Sequence, residues 1–190
     1  MPETSPPAPH ADPDAVLEAW LAREKEVLEL RARGVEPGVA RPEQLAGLTG
    51  LQVMQAMLRG ELPHATLSKT LDFLAVEMSE GHAVFQGSPG PAHTNPMGTI
   101  HGGWYASLLD SAMGCAVHTR LPAGRAYTTA ELSVNLVRAI GPGVRRVQAQ
   151  GRVLHCGRQL ATAEARLVGP DGTLYAHGTS TCLVFEMVAR

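Results

Sequence analysis

Asp110 stands in a stretch, residues 103–119, that contains no Lys, Arg or Glu. Burying a carboxylate in such a setting without a partner is costly. Its helical neighbours at three, four and seven positions are Gly103, Ala106, Ser107, Met113 and Gly114, so much of that face is small enough for another group to approach. Just upstream, His101-Gly102-Gly103 falls where a loop becomes a helix. The first N–H groups of a helix have no partner within it, and the local dipole favours negative charge. Glycine there lets a ligand come close to the backbone. A carboxylate together with a pre-aimed N–H is suited to carbonyl chemistry, in which an oxygen gains charge during reaction. Each part alone also has an ordinary reading: an Asp bonded to a strand backbone, and a glycine pair made for helix–sheet packing. Spacing constrains how they combine. Asp110 lies eight residues after Gly102, or ~12 Å along a helix axis, whereas both groups must lie within ~3 Å of the reacting atoms. One helix cannot satisfy both demands. Two antiparallel copies can, so the expectation is a site shared between subunits.

Other chemistries find little footing. The eight histidines are scattered and none has a metal-ligand spacing such as HExxH; there is no GxSxG elbow and no Gly-rich phosphate loop. Cys115, Cys156 and Cys182 form no CxxC, and their sparse, odd number argues against a disulfide framework. Cys156 adjoins His155, but neighbours on a strand point to opposite faces. A net charge of -2 offers no electrostatic case for nucleic acid as a partner. No run of ~18 apolar residues predicts a membrane span, and the first fifteen residues lack the basic start and apolar stretch of an export signal, so a cytoplasmic location is expected.

The elements that must position these residues follow from periodicity. Residues 1–13 hold five prolines and few apolar side chains and are expected to be disordered. A helix is expected from Asp14, as N-cap, to about Arg33, with Gly34 as its stop, then a Gly/Pro-rich linker over 34–48. Thr49-Gly-Leu-Gln52 has the form of a capping box for a short helix that Gly60 ends. From Leu71 the period shortens towards two, and Gly81 with His82–Gln86 predicts a hairpin. Residues 87–98 read as an irregular loop, and 103–119 as a helix apolar on nearly every face, hence buried. Four strands follow, Ala126–Arg138, Val144–His155, Gln159–Val168 and Thr173–Phe185, separated by turn residues that predict antiparallel neighbours. The arrangement that satisfies this order is α+β: a curved antiparallel sheet wrapped around a central buried helix. The expected division is a tail over 1–13, a helical N-terminal extension over 14–60 and the main domain over 61–190. A long sheet edge and one side of the helix would still need cover, which dimerisation would provide.

Asn95, Gly98, His101-Gly102-Gly103 and Leu109-Asp110-Ser111-Ala112, with Arg138 and Gly157-Arg158 downstream, give the chain a resemblance to the PaaI-type thioesterases of the hotdog-fold superfamily over roughly residues 65–186. Gly60 and Pro63 are similar to those of members with a helical N-terminal extension. The resemblance implies an acyl-CoA thioesterase in which Asp110 is the general base toward water or the nucleophile, and the Gly102 N–H polarises the thioester carbonyl. Asn95 would position the water or carbonyl, and His101 would hold the loop or touch the thioester. Thr129 would assist from the strand facing the helix, unless its neighbour Thr128 holds that position. It further implies that Gly103, Arg138 and Arg158 contact the substrate, with Arg145 and Arg146 as further candidates for the CoA phosphates. Coenzyme A is then part of the substrate; no metal or separate cofactor is implied, since a thiolate leaves without strong acid assistance. The implied assembly is a homodimer or a dimer of dimers. Two other readings share the fold: a dehydratase or hydratase of acyl thioesters, which would use His101 with Asp110, and a non-catalytic acyl-CoA-binding protein.

Overall fold

The structure, a computed structural model, describes residues 12–187. The expected disordered tail therefore lies outside the described residues except for Asp12 and Pro13. Helix α1 spans Pro13–Ala32. Its N-cap is Asp12 rather than Asp14: Pro13 opens the first turn, where its missing N–H costs nothing, and the Asp12 carboxylate accepts the Asp14 N–H at 3.2 Å. The linker expected over 34–48 contains a single turn, α2 (Pro42–Leu45). Helix α3 (Gly50–Leu58) starts as anticipated, Thr49 and Gln52 capping each other's backbone N–H. A further turn, α4 (Leu67–Thr70), precedes the first strand.

Strands β1 (Phe73–Ser79) and β2 (His82–Gly87) form a hairpin, and a 3-10 turn (Pro91–His93) lies in the loop after it. Helix α5 (Gly102–Thr119) follows, then β3 (Arg125–Leu136), β4 (Val147–Cys156), β5 (Leu160–Val168) and β6 (Leu174–Glu186). All six strands join in one antiparallel sheet, ordered β1-β2-β4-β5-β6-β3. The order corrects one expectation. β3 is not the neighbour of β4; it pairs with β6 at the far edge, while β4 pairs with β2. Turn residues at Gly141-Pro142-Gly143 report a local reversal, not which edge the chain goes to. Residues 137–146 need span only three strand spacings, ~14 Å, well within the reach of ten residues.

The sheet curves around α5, whose Leu108, Leu109, Ala112 and Met113 are fully buried. The inward positions of β5 are Ala161, Ala163, Ala165 and Leu167, all buried, and such small side chains let the helix settle close to the strands. At the closest point, a Cβ on Gly151 of β4 would lie 2.4 Å from the Ala112 carbonyl oxygen, so only glycine fits. Truncating Leu108 or Met113 to Ala would cost about 2–5 kcal/mol.

The opposite face of β2 and β4 carries Gln86 and Gln148, yet both are buried, because α1 crosses them. Gln148 donates to the Gln86 Oε1 (3.0 Å), and Gln86 donates to the Trp20 carbonyl (3.3 Å) and to the Glu24 carboxylate. Arg146 closes the network with two bonds to Glu24, 2.7 and 2.8 Å. Arg23 Nε donates to the Val76 carbonyl on β1 (2.8 Å). No helix among the described residues is long and apolar enough to cross a membrane.

Burial opposes ionisation of Glu24, but the hydrogen bonds from Arg146 and Gln86 and the charge of Arg146 outweigh it and hold the carboxyl below its ordinary value of 4.5. A folded value below the unfolded one means that the stabilisation is full above about pH 4.5 and is lost as pH falls through the folded value. Glu24→Gln is expected to cost about 1–3 kcal/mol at neutral pH. Urea unfolding should show that deficit shrinking as pH falls through the lowered folded value, where the wild-type carboxyl also protonates.

Candidate active site

The start of α5 is built by its own loop. The His101 Nδ1 caps the helix by accepting the Gly103 N–H at 2.9 Å, which places the ring proton of neutral His101 on Nε2. The His101 N–H donates to the His93 carbonyl (2.8 Å), and the His93 ring stacks on Trp104 with centroids 5.5 Å apart. Trp104 in turn donates its indole N–H to the Leu71 carbonyl (2.8 Å). Among the described residues, nothing accepts the Gly102 N–H. Gly102 lies against Leu136 at the end of β3: a Cβ there would come within 2.9 Å of Leu136 Cδ1.

Asn95 is occupied locally. Its Oδ1 accepts the N–H groups of Met97 (2.9 Å) and Thr99 (3.2 Å), and its Nδ2 donates to Thr99 Oγ1 (2.8 Å). Within one chain it shapes the loop that leads to His101, keeping one amide N–H for any ligand.

Asp110 lies two turns along α5 and is half-buried. Its Oδ1 accepts from Thr129 Oγ1 at 2.9 Å. Thr129, not Thr128, faces the helix; Thr128 is exposed on the other face of β3. The two nearby serines are spent on the helix backbone: Ser107 Oγ donates to the Gly103 carbonyl (2.8 Å) and Ser111 Oγ to the Ser107 carbonyl (2.7 Å). Residue composition alone did not reveal the neighbours Cys115, Tyr127 and Cys182. Burial first, then the Asp110 charge, pushes the Cys115 thiol up to about 12, and burial first pushes the Tyr127 phenol well above its usual range. Both stay protonated at neutral pH, so Cys115 is no thiolate nucleophile. Two signals could have found them. Tyr127 precedes Thr129 by two, which puts both on one face of a strand, and Cys182 is Thr129's partner in the β3–β6 register.

The basic candidates separate. Arg138 is exposed beyond the end of β3, with its N–H bonded to the Tyr175 carbonyl. Arg158 sits in the β4–β5 turn, where its carbonyl accepts from the Arg125 guanidinium at the start of β3. The two therefore flank opposite ends of a twelve-residue strand, ~40 Å apart in one chain. Arg146 is engaged by Glu24 and Arg145 is exposed. Among the described residues no three His, Cys, Asp or Glu side chains are placed to share a metal ion.

A helix gripped by a six-stranded antiparallel sheet, with an unpaired N–H at its start and a hydroxyl-supported carboxylate along it, defines the hotdog class of thioester-handling folds. Comparison with known proteins agrees. The family model described as "Thioesterase superfamily" matches residues 97–176, which include His101, Gly102, Asp110, Thr129, Arg138 and Arg158 but not Asn95. Among solved structures, a mutant of the phenylacetic acid degradation protein PaaI from Thermus thermophilus is 29% identical with a TM-score of 0.56, the match covering 62% of this chain and 96% of that one. The TT0310 protein of the same organism is 30% identical with a TM-score of 0.56, over 62% and 95% of the two chains. A phenylacetic acid degradation-related protein from Ralstonia eutropha JMP134 is 26% identical with a TM-score of 0.62, over 68% and 98%. No curated protein sequence matches. The chain belongs to the thioesterase superfamily, as a PaaI-type hotdog protein, and the chemistry of that class is acyl-thioester hydrolysis.

Gly114, one turn beyond Asp110, carries the Tyr127 hydroxyl: a Cβ there would lie 2.5 Å from the phenol oxygen. Gly114→Ala is expected to push Tyr127 off the helix and cost about 1–3 kcal/mol. Denaturant unfolding should show part of that loss recovered when Tyr127→Phe removes the oxygen from the same chain.

Proposed function

We propose that this protein is a cytoplasmic acyl-CoA thioesterase whose active sites straddle a homodimer interface. The observation that carries the reading is the division of one catalytic set along α5. The unpaired Gly102 N–H lies at its start, and the Thr129-supported Asp110 lies two turns away, too far to act on the same carbonyl.

The unpaired edge strand β3 lies alongside both groups, Leu136 touching Gly102 and Thr129 holding Asp110. If β3 pairs antiparallel with its own copy about a twofold axis between Leu132 and Ser133, Thr129 falls opposite Leu136 of the partner subunit. That register sets Asp110 of one subunit near Gly102 of the other. Leu132 and Leu136, exposed at 38% and 53%, would be covered in the same step and would line the acyl pocket. Arg138 would meet the partner's β3 start, where Arg125 holds the Arg158 loop, gathering basic residues from both subunits at the mouth for the CoA phosphates.

In this arrangement the thioester oxygen accepts the Gly102 N–H, which strengthens as negative charge develops on it. Asp110 of the other subunit, one oxygen fixed by Thr129, removes a proton from water or attacks the carbonyl carbon itself. Water's oxygen ends in the carboxylic acid, the C–S bond breaks, and the thiolate of coenzyme A takes the proton. His101 and Asn95 keep the loop in the shape that aims the N–H.

Asp110→Asn is expected to lower kcat by at least about a hundredfold in a free-thiol assay over a panel of acyl-CoAs, with unfolding unchanged. Gly102→Pro removes the N–H at a helix position that tolerates proline, and His101 already has the extended backbone proline requires of its predecessor. It should cost about 10²–10³ in kcat. Mixed after unfolding and refolding, the two inactive variants should regain about a quarter of wild-type activity, since half the dimers then hold one intact site. If the refolded mixture stays inactive, the shared site is wrong.

A further inference from the structure

Helix α5 and the edge strand β3 run side by side, and contacts along their length fix the alignment: Leu136 lies against Gly102, Thr129 bonds Asp110, and Tyr127 lies against Gly114. The groove between them differs on the two sides of Asp110. Towards the end of α5 it is filled. The Tyr127 ring lies over Gly114 and packs edge-on against His118, with centroids 5.7 Å apart. Towards the start of α5 it is open. Leu132, Val134 and Leu136 belong to the inward face of the sheet, because their β6 partners Ser180, Gly178 and Ala176 are buried there. Yet α5 leaves Leu132 38% and Leu136 53% exposed. On the helix side stand Ala106 and Ser107, both half-buried, and the Ser107 hydroxyl is spent on the Gly103 carbonyl. The open stretch is therefore lined mainly by hydrocarbon. Gly102 and Asp110 mark its two ends, ~12 Å apart along the helix. In the dimer proposed above each end holds one reacting carbonyl, and the twofold axis passes beside Leu132. An acyl group anchored at one carbonyl then has ~6 Å before it meets the axis. At bond lengths of ~1.5 Å that is room for about five carbons of an extended chain, or for one ring.

We propose, on the shared-site thioesterase reading above, that Leu132 and Leu132 of the partner subunit form the end wall of the acyl pocket and restrict the substrate to short-chain or single-ring acyl groups. The acyl group points towards the axis because Tyr127 occupies the other direction. Leu132 touches neither the carbonyl nor Asp110; it decides how long a chain can lie behind the carbonyl. A hydrophobic pocket distinguishes one methylene by about 10–200-fold, so a change in the size of this side chain is read directly in the acyl length accepted.

The test measures free-thiol release by the full chain from acetyl-, hexanoyl-, decanoyl- and benzoyl-CoA. Calorimetric titration with S-ethyl-, S-hexyl- and S-decyl-CoA, thioethers that cannot be hydrolysed, runs beside it. In wild type, kcat/KM should fall at least about tenfold from hexanoyl- to decanoyl-CoA, with benzoyl-CoA on the accepted side. Leu132→Ala should erase that fall, and Leu132→Phe should bring it forward, so that hexanoyl-CoA drops at least about tenfold below acetyl-CoA. The thioether affinities should follow the same order. Leu132→Val should move the limit in the same direction as Leu132→Ala, which covers the case in which the alanine variant does not fold or dimerise. A wild type that accepts decanoyl-CoA as readily as hexanoyl-CoA overturns the proposal, and so does a length profile that none of the Leu132 variants moves. If no acyl-CoA releases thiol but the thioethers bind with the Leu132-dependent order, the hydrolytic reading fails and the pocket wall stands. If neither hydrolysis nor thioether binding is seen, both fall.

Discussion

Helix α5 turns most of its surface inward and leaves only a narrow stripe, with Gly103, Ser107, Asp110, Ser111 and His118, half-buried or exposed. Leu108, Leu109, Met113, Ala116 and Val117 are fully buried although they point in different directions around the axis. A helix of that kind is stable only when enclosed, and the antiparallel sheet encloses it. The alanines of β5 and Gly151 of β4 set how closely the strands approach, because a larger side chain at any of them would hold the helix off the sheet. The remaining architecture is subordinate to this enclosure: α3 closes one end of the helix, its Gly50 N–H bonding the Leu121 carbonyl just beyond α5 (2.9 Å), and β3 stops short of covering the far side.

The same enclosure explains where polar groups survive. Along α5, Asp110 is the one carboxylate, and it is half-buried, with a hydroxyl donor at 2.9 Å. Its other neighbours, Cys115, Cys182 and Tyr127, are kept neutral by burial. At the helix start the situation is complementary: hydrogen bonds through Asn95, His93 and His101 shape loop 93–101, and among the described residues nothing accepts the Gly102 N–H that follows it.

On the outer face, α1 imposes a second constraint. Gln86 and Gln148 would be ordinary solvent-facing residues of an antiparallel sheet, but α1 buries them and satisfies them through Trp20, Glu24 and Arg146. Arg146 is thereby tied to the fold and withdrawn from ligand binding. The helix also leaves a cavity at its C-terminal end, so the extension both covers the sheet and creates a concave surface.

Much of this was legible in one dimension. Apolar residues on nearly every face of 103–119 imposed a buried helix, alternation with turn residues imposed antiparallel strands, the Thr49–Gln52 pair marked a helix start, and His101-Gly102-Gly103 with Asp110 set a helix start and a carboxylate two turns apart on one helix. These readings depend on local period and on rise per residue, which sequence spacing carries directly. Tertiary structure alone decided the rest. The turn at Gly141–Gly143 looks the same whether the chain returns beside β3 or crosses the sheet, so the β3–β6 register, and with it the place of Cys182 beside Asp110, had no local signature. The ~40 Å that separate Arg138 from Arg158 and the capture of Arg146 by Glu24 likewise divide or join residues far apart in the chain. Periodicity states which face a residue occupies; only packing states what that face meets.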